Sequence, residues 1–226
     1  MIPLRDENPT TLTPVVTVTL IVLNCLVFLY QVSLGEAQEN FVLSYAAVPA
    51  ELFHKGAVIG APQVPAALTV FTSMFLHGGI LHLGGNMLYL WIFGNNIEDV
   101  MGHGRFVVFY LLAGVAAVFA HAVTAPESMV PMVGASGAIS GVLGAYLLLF
   151  PTARVLVLIP LGLFTRLVTI PAVVVLGFWI VVQILNGAFS LAGPGGGVAW
   201  FAHVGGFIVG FGLVKVFQRH EPPRPL

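Results

Sequence analysis

Two short polar stretches set the pattern of this sequence: Gly134-Ala135-Ser136-Gly137 and Ala202-His203-Val204-Gly205-Gly206. Each stretch precedes an apolar run typical of a membrane helix, and each holds one polar side chain beside glycines. Glycines at such positions let helix backbones approach closely within a membrane. We therefore expect Ser136 and His203 to meet near the ends of two packed helices.

The composition is that of a membrane protein. Of the 226 residues, 58% are hydrophobic and 8% are charged, whereas a soluble domain has about 25% charged residues. The net charge of -1 gives no indication of nucleic-acid binding, which requires basic side chains for the phosphates. The single cysteine, Cys25, lies in an apolar run and cannot form an internal disulfide.

Six apolar segments are predicted to cross the bilayer as helices: 15–34, 80–97, 106–123, 136–150, 167–189 and 200–217. The first has about 20 residues, which at about 1.5 Å per residue matches a hydrocarbon core of about 30 Å. The predicted fold is an all-α, polytopic six-helix bundle at 15–217, with a cytoplasmic segment at 1–14 and a cytoplasmic tail at 218–226. The stretch 35–76 is too polar to span, so its helical pieces are expected to lie in the membrane interface.

The basic residues predict which side the termini occupy. Six crossings place both termini on one side of the membrane, and basic residues favour the cytoplasmic side. If the termini are inside, Lys55 is the one basic residue outside. The other basic residues then all lie inside: Arg5, Arg105, Arg154, Arg166, Lys215, Arg219 and Arg224.

Four polar residues share one depth in this topology. His82 and Asn86 come early in the second span, Ser136 begins the fourth, and His203 comes early in the sixth. The fourth span is about 22 Å long at about 1.5 Å per residue, which is shorter than the hydrocarbon core. The preceding loop must then enter the membrane, where irregular backbone is tolerated only against protein or water. We expect a water-filled pocket above the serine.

Glycine spacing predicts how the fourth and sixth spans pack. Gly137, Gly141 and Gly144 lie on one face of the fourth span, and Gly206 and Gly210 form a similar stripe on the sixth. Membrane helices commonly pack through such stripes of small residues. Contact between these two stripes would bring the serine hydroxyl toward the imidazole.

These residue types predict nucleophilic catalysis. A serine hydroxyl is a poor nucleophile until a neighbouring imidazole accepts its proton, and the imidazole later protonates the leaving amine. The spans hold no acid placed to orient His203, so a Ser136–His203 dyad is expected rather than a triad. His82 and Asn86, four residues apart on one helix face, are expected to donate to an oxyanion together with the serine backbone N–H.

Other interpretations of these residues are open. A serine between glycines is usually a packing residue, whereas an intramembrane histidine is costly and by default functional. Metal binding by His77 and His82 is disfavoured, because their spacing is poor for one helix face and no Cys or acid joins them. We expect no metal and no cofactor. The remaining histidines are expected to be interfacial or to lie in loops without a role: His54, His103, His121 and His220.

Taken together, the motifs resemble those of the rhomboid family of intramembrane serine proteases. The resemblance rests on His77-Gly-Gly-Ile-Leu-His82-Leu-Gly-Gly-Asn86, on Gly134-Ala135-Ser136-Gly137-Ala138 and on Ala202-His203-x-x-Gly206-x-x-x-Gly210. It covers about 15–217, and the order, spacing and host spans of the motifs agree. The motifs are specific in combination, although each one is weak alone.

The resemblance implies a six-helix core in which Ser136 and His203 form the catalytic dyad. Asn86 and His82 would line the oxyanion site, and Gly134 would shape the turn before the nucleophile. Structural or supporting roles are implied for His77, Gly137, Gly206, Gly210, Glu98 and Gly102.

Two positions depart from the family pattern. Many rhomboids carry Trp-Arg in the first loop, where this sequence has Leu68 and Thr69, which puts the anchoring of that loop in question. Many also place an aromatic residue four positions after the serine, where it stacks on the histidine. Ser140 occupies that position here, so we expect His203 to be held by a neighbour from another span or to be less tightly oriented.

The substrates implied by the resemblance are transmembrane segments of other proteins, contacted within the lipid bilayer. The carbonyls of a substrate helix form hydrogen bonds within the helix, so the substrate must unwind locally before it can be cut. The glycines beside the serine favour a small residue before the scissile bond. The stretch Gly193-Pro194-Gly195-Gly196-Gly197 has the flexibility of an outer lid, and it is expected to move with the fifth span. The expected location is multi-pass in a bacterial-type plasma membrane, with no nucleic-acid partner and no indication of oligomeric state.

Two other functional classes are open. A catalytically inactive rhomboid-like protein would bind membrane segments without cutting them, but such relatives commonly lose the nucleophile or the base, and both are present here. A small transporter or channel would usually place carboxylates along its pathway. In this sequence the second span ends just before Glu98 and Asp99, and the six predicted spans contain no Asp or Glu. The sequence favours the protease.

Overall fold

The computed structural model describes residues 1–53, 64–161, 164–192 and 198–219, and it is built mainly from helices. The helices are α1 (Val15–Ser33), α2 (Gln38–Tyr45), α3 (Pro49–Phe53), α4 (Ala66–Thr72), α5 (Ile80–Met101), α6 (His103–Ala122), α7 (Ser136–Leu149), α8 (Ala172–Ala192) and α9 (Trp200–Phe217). Single turns of 3₁₀ helix lie at Gly35–Ala37 and Ser73–Phe75. The strands are β1 (Ile2–Asp6), β2 (Arg154–Leu161) and β3 (Phe164–Pro171).

The long helices match the predicted spans. Among the described residues, α1, α6, α8 and α9 are each long and apolar enough to cross a membrane. Helix α4 with its 3₁₀ turn passes the same test together with α5, although the two are bent by 81° at the break. Helix α7 is the shorter apolar helix expected from the sequence. The mainly helical, multi-pass class is confirmed, while the count of six crossings and the cytoplasmic termini stay predictions.

Large apolar side chains cover the outer faces of several helices. Leu29 on α1, Phe189 on α8 and Val216 on α9 are 65%, 73% and 75% exposed. Apolar surface of this extent is unfavourable in water and is favourable against lipid. The exposed faces therefore support an integral membrane protein.

Helix α7 lies at the centre of the bundle. Every residue from Gly137 to Tyr146 is buried, and the helix packs against α5, α6, α8 and α9. Small residues such as Gly141 face α9, and the larger Tyr146 meets the ring of Phe93 on α5. Its first residue, Ser136, is therefore held by packing around the whole helix.

A three-stranded antiparallel sheet, in the order β1-β2-β3, was not predicted from the sequence. Strand β1 lies within the segment 1–14, which was predicted as a cytoplasmic segment without a strand. The register is given by the facing pairs Ile2 and Leu158, Arg154 and Pro171, and Leu161 and Phe164.

The sheet corrects the predicted start of the fifth span. Residues 167–171 belong to β3, and α8 begins at Ala172, whose N–H donates to the Ala153 carbonyl at 2.8 Å. The strands are rich in Val, Ile and Thr, which favour extended backbone. A short apolar run of this kind fits a strand as well as a helix by periodicity alone, and the partner strand β1 lies far away in the sequence.

Two buried carboxylates of α5 hold the N-terminal end of α1. Glu98, which is fully buried, accepts from the N–H groups of Val16 and Thr17 at 2.8 Å each. It also accepts from the Thr17 hydroxyl and is 2.6 Å from His103 Nδ1, so His103 has a partner that the sequence did not indicate. Asp99 accepts from the N–H groups of Thr11 and Leu12, which lie a few residues before α1. Glu98 thus satisfies N–H groups in the first turn of α1 that have no partner within the helix, while Asp99 holds the segment before it.

We predict that Glu98→Gln destabilises the fold. The amide would present an NH₂ group to donors that now bond a carboxylate, and hydrogen bonds to charged groups contribute about 1.5–3 kcal/mol. Thermal unfolding in detergent should show a lower Tm for Glu98→Gln. Glu36→Gln, at an exposed carboxylate, is the matched control and should leave the Tm unchanged. Equal Tm values for the two variants would contradict the assigned role.

The sheet is joined to the bundle through Asp6. Its carboxylate accepts a hydrogen bond from the Tyr146 hydroxyl of α7 at 2.7 Å. Burial raises the pKa of the Asp6 carboxyl, against the opposing effect of this hydrogen bond. Since the folded protein then holds the proton more tightly than the unfolded chain, the group stabilises the fold most at low pH.

A pH series on Asp6→Asn tests this link. The contribution of Asp6 is complete below the ordinary pKa of the carboxyl and is lost as the pH rises through the raised value. The asparagine keeps an oxygen acceptor for Tyr146 and cannot ionise. The Tm of the wild type should therefore fall more steeply than that of Asp6→Asn across this window. The same slope for both proteins would contradict the assignment.

Candidate active site

The turn before Ser136 is fixed by the surrounding backbone. The loop before α7 forms an isolated bridge with Ala47, whose carbonyl accepts from the Met132 N–H at 2.7 Å. Gly134 follows with φ of +121°, a region that favours glycine, and its N–H donates to the Ser73 carbonyl at 2.9 Å. A Cβ at Gly134 would also lie 2.8 Å from the His82 ring. The hydrogen bonds to the carbonyls of Ala47 and Ser73 thus hold the loop that leads into the first residue of α7.

The structure brings the serine and the histidine together. His203 Nε2, on α9, lies 2.8 Å from Ser136 Oγ, on α7. This is hydrogen-bond distance, and it joins residues that are 67 positions apart in the chain. The arrangement allows the imidazole to accept the hydroxyl proton.

The glycine stripes make this approach possible. A Cβ on Gly206 would fall on the carbonyl oxygen of Gly137, and one on Gly210 would fall on that of Gly141. A Cβ on Gly144 would meet the carbonyl oxygen of Phe207 in the same way. The backbones of α7 and α9 are therefore in direct contact, as the spacing predicts.

The surroundings of His203 include residues that the sequence analysis missed. Gln183 of α8 lies with its Oε1 2.8 Å from His203 Nδ1. The ring centroids of Trp179 and Trp200 lie 5.9 Å and 6.3 Å from that of the imidazole. Ser140 does not reach the histidine, and its hydroxyl donates to the Ser136 carbonyl at 2.6 Å. A polar side chain within an apolar span was the signal available for Gln183.

His77, His82 and Asn86 form a cluster at the start of α5. The Asn86 amide donates to His77 Nε2 at 3.0 Å, and the two histidine rings meet edge to face at 5.1 Å. The Gln31 side chain of α1 holds the His77 backbone by donating to its carbonyl at 2.7 Å. His77 thus orients the asparagine and does not face the serine itself.

A cavity of about 410 Å³ joins these groups. Its polar wall is formed by His82, Asn86, Ser136, Gln183 and His203, and its apolar wall includes Tyr89, Ile139, Leu143 and Trp179. A second space, of about 30 Å³, lies beside the serine between small side chains such as those of Ala117 and Ala202. The first cavity is therefore much larger than the second, which is lined mainly by small side chains.

The first loop is anchored differently from the Trp-Arg pattern. Leu68 is exposed, whereas Thr69 is buried and donates to the Ala66 carbonyl of its own helix. The loop is tied to α2 through the Thr72 hydroxyl, which donates to the Tyr45 carbonyl at 2.6 Å. His121 lies in the last turn of α6. Several residues considered in the sequence analysis lie outside the described residues: His54, Lys55, the proposed lid 193–197, His220 and Arg224.

Comparison with known proteins identifies the family of this chain. The rhomboid domain model matches residues 65–220, and the chain belongs to the rhomboid family. It is 36% identical over 142 residues to rhomboid protease GluP of Bacillus subtilis, covering 63% of this chain and 24% of that protein.

Two mitochondrial relatives are also similar. Presenilin-associated rhomboid-like protein A of Danio rerio is 31% identical over 166 residues, covering 69% of this chain and 40% of that protein. Rhomboid protein 1 of Saccharomyces cerevisiae is 36% identical over 100 residues, covering 42% of this chain and 29% of that protein. The chain therefore matches less than half the length of each of these relatives.

We predict that Gly206→Ala disrupts the site, while Gly212→Ala on the same helix does not. A methyl group on Gly206 would push α9 away from the Gly137 carbonyl, whereas a Cβ at Gly212 would meet no atom of the described residues within 4 Å. Labelling of the serine by a fluorophosphonate should fall at least about tenfold in Gly206→Ala, since a displacement of about 1 Å can cost about 100-fold in rate. Comparable labelling of both variants would contradict the close packing.

Proposed function

We propose that this protein is an intramembrane serine endopeptidase with Ser136 as nucleophile and His203 as general base and acid. The observation that carries the proposal is the distance of 2.8 Å between His203 Nε2 and Ser136 Oγ. Family membership supports it, because the rhomboid family includes intramembrane proteases. The cavity beside the dyad supplies space for a substrate.

The dyad would act in two steps. His203 Nε2 accepts the hydroxyl proton as Ser136 Oγ attacks the scissile carbonyl carbon, and the imidazolium then donates that proton to the leaving amine. The C–N bond breaks and an acyl-enzyme remains. Water entering the cavity then gives a proton to His203 and attacks the ester carbonyl carbon. The ester C–O bond breaks as the imidazolium returns its proton to Ser136 Oγ, and the new carboxylic acid is released and ionises.

The oxyanion would be stabilised by donors of two kinds. Ser136 is the first residue of α7, so its N–H has no partner within the helix and lies at the positive end of the helix dipole. The side chains of Asn86 and His82 line the same cavity. Because His77 holds the Asn86 amide at 3.0 Å, the donor is oriented before a substrate binds, and such preorganisation is what stabilises a developing charge.

Substrates would be transmembrane segments with a small residue before the cut. The scissile carbonyl must leave the helical hydrogen-bond pattern of the substrate to reach Ser136. The space of about 30 Å³ beside the serine favours a small side chain at that position. We propose a bacterial-type plasma membrane as the location. The matching relatives come from a bacterium and from mitochondria.

Cleavage of a tagged transmembrane substrate in detergent tests the proposal. Wild type should cut, and Ser136→Ala and His203→Ala should lose at least about 1,000-fold in rate, as is usual for residues of a serine protease site. A fluorophosphonate should label the wild type and not Ser136→Ala. Thermal unfolding of each variant provides the control for folding.

The outcomes separate three possibilities. Variants that cut as well as the wild type would show that the dyad is assigned wrongly. A folded wild type that neither cuts nor reacts with the fluorophosphonate would indicate instead an inactive rhomboid-like protein that binds membrane segments.

A further inference from the structure

Gln183 contacts the imidazole of His203 on the side away from the serine. Its Oε1 lies 2.8 Å from His203 Nδ1, and its side chain is 6% exposed within an apolar stretch of α8. A buried polar side chain in a membrane helix is unfavourable unless it forms hydrogen bonds. Packing alone therefore does not account for a glutamine at this position.

The orientation of the Gln183 amide follows from its second contact. Its Nε2 donates to the Trp179 carbonyl one turn earlier in α8, at 3.4 Å. Since a carbonyl can only accept, this contact identifies the nitrogen, and the oxygen must face His203. An amide oxygen can only accept as well, so the bonded Nδ1 must carry a proton.

The protonation of Nδ1 determines the state of Nε2. A neutral imidazole carries one proton, so Nε2 has a free lone pair directed at Ser136 Oγ, 2.8 Å away. This is the tautomer that a general base requires. With the other tautomer, Nε2–H would face the serine and could not accept its proton.

We propose that Gln183 is a positioning residue that fixes the tautomer and the ring orientation of His203, in the place that an aspartate takes in a Ser-His-Asp triad. This inference rests on the proposed protease function and adds a third member to its dyad. In a triad the aspartate orients the imidazole through Nδ1 and stabilises the imidazolium by its charge. Gln183 supplies the orientation without burying a negative charge in the membrane, which would be costly.

The neighbours of His203 are consistent with a neutral partner. Trp179 and Trp200 enclose the ring from α8 and α9, and Ser136 faces it from α7. Of the titratable side chains on neighbouring helices, His82 of α5 lines the same cavity as His203, and His121 lies in the last turn of α6, which packs against α9. No carboxylate among the described residues forms a hydrogen bond to the imidazole. A negative charge introduced at position 183 should therefore change the pH dependence of the reaction.

Two variants of Gln183 test the proposal, with Ile184→Met as the matched control at an exposed neighbour. Gln183→Met keeps the length of the side chain and removes the acceptor. It should lower kcat by about 10- to 100-fold, the range expected for loss of a buried hydrogen bond, with KM changed by less than about twofold. Ile184→Met should stay within about twofold of the wild type in both constants.

Gln183→Glu distinguishes positioning from packing. The glutamate keeps an acceptor for Nδ1–H, so activity should be retained to a greater extent than in Gln183→Met. Its negative charge stabilises the imidazolium, so the acidic limb of the kcat/KM profile should move to higher pH. A residue that acts only by packing would not move this limb.

A measurement without turnover keeps the two proposals separable. ¹⁵N spectra of histidine-labelled protein should show a protonated Nδ1 for the signal that disappears in His203→Ala, and this signal should change in Gln183→Met. Unchanged kcat, pH profile and ¹⁵N signal in Gln183→Met would overturn the role of Gln183 while the protease proposal stands. A wild type without Ser136-dependent cleavage or labelling would overturn the protease proposal itself.

Discussion

The structure depends on direct backbone contact between α7 and α9. Two glycine stripes remove the side chains that would hold these helices apart, so that a Cβ on Gly206 or Gly210 would collide with a carbonyl oxygen of α7. In a membrane, helices gain little by burying apolar surface against each other, because lipid is equally apolar, and close packing is what favours association. The same contact sets the distance of 2.8 Å between Ser136 Oγ and His203 Nε2.

A second constraint is that polar groups within the bilayer need partners from the protein. Glu98 accepts from N–H groups in the first turn of α1, and Gln31 forms hydrogen bonds with the backbone of His77. Gln183 forms a hydrogen bond with Nδ1 of His203. Each of these contacts joins two different helices or loops. Such a network restricts the relative positions of the elements, since displacement of any one would leave a buried polar group unsatisfied.

Much of the site was predictable because glycine spacing and helix period fix which residues share a face. The pairing of Ser136 with His203 followed from their equal depth and from the stripes at Gly137 and Gly206. The role of His77 as a partner of Asn86 was less accessible, because His77 lies before α5 begins and its ring position depends on contacts with α1. The partner of His203 was expected on another span, but the polar character of Gln183 within an apolar segment does not reveal which side chain it contacts.

The sequence by itself determined a mainly helical membrane protein and the glycine faces by which α7 and α9 pack together. These properties depend on composition and on spacing within one segment, which are local. The tertiary structure decided the sheet that joins β1 to β2 and β3, the place where α8 begins, and the side of His203 that Gln183 approaches. Each of these involves residues distant in the chain, and their meeting depends on the packing of the whole bundle.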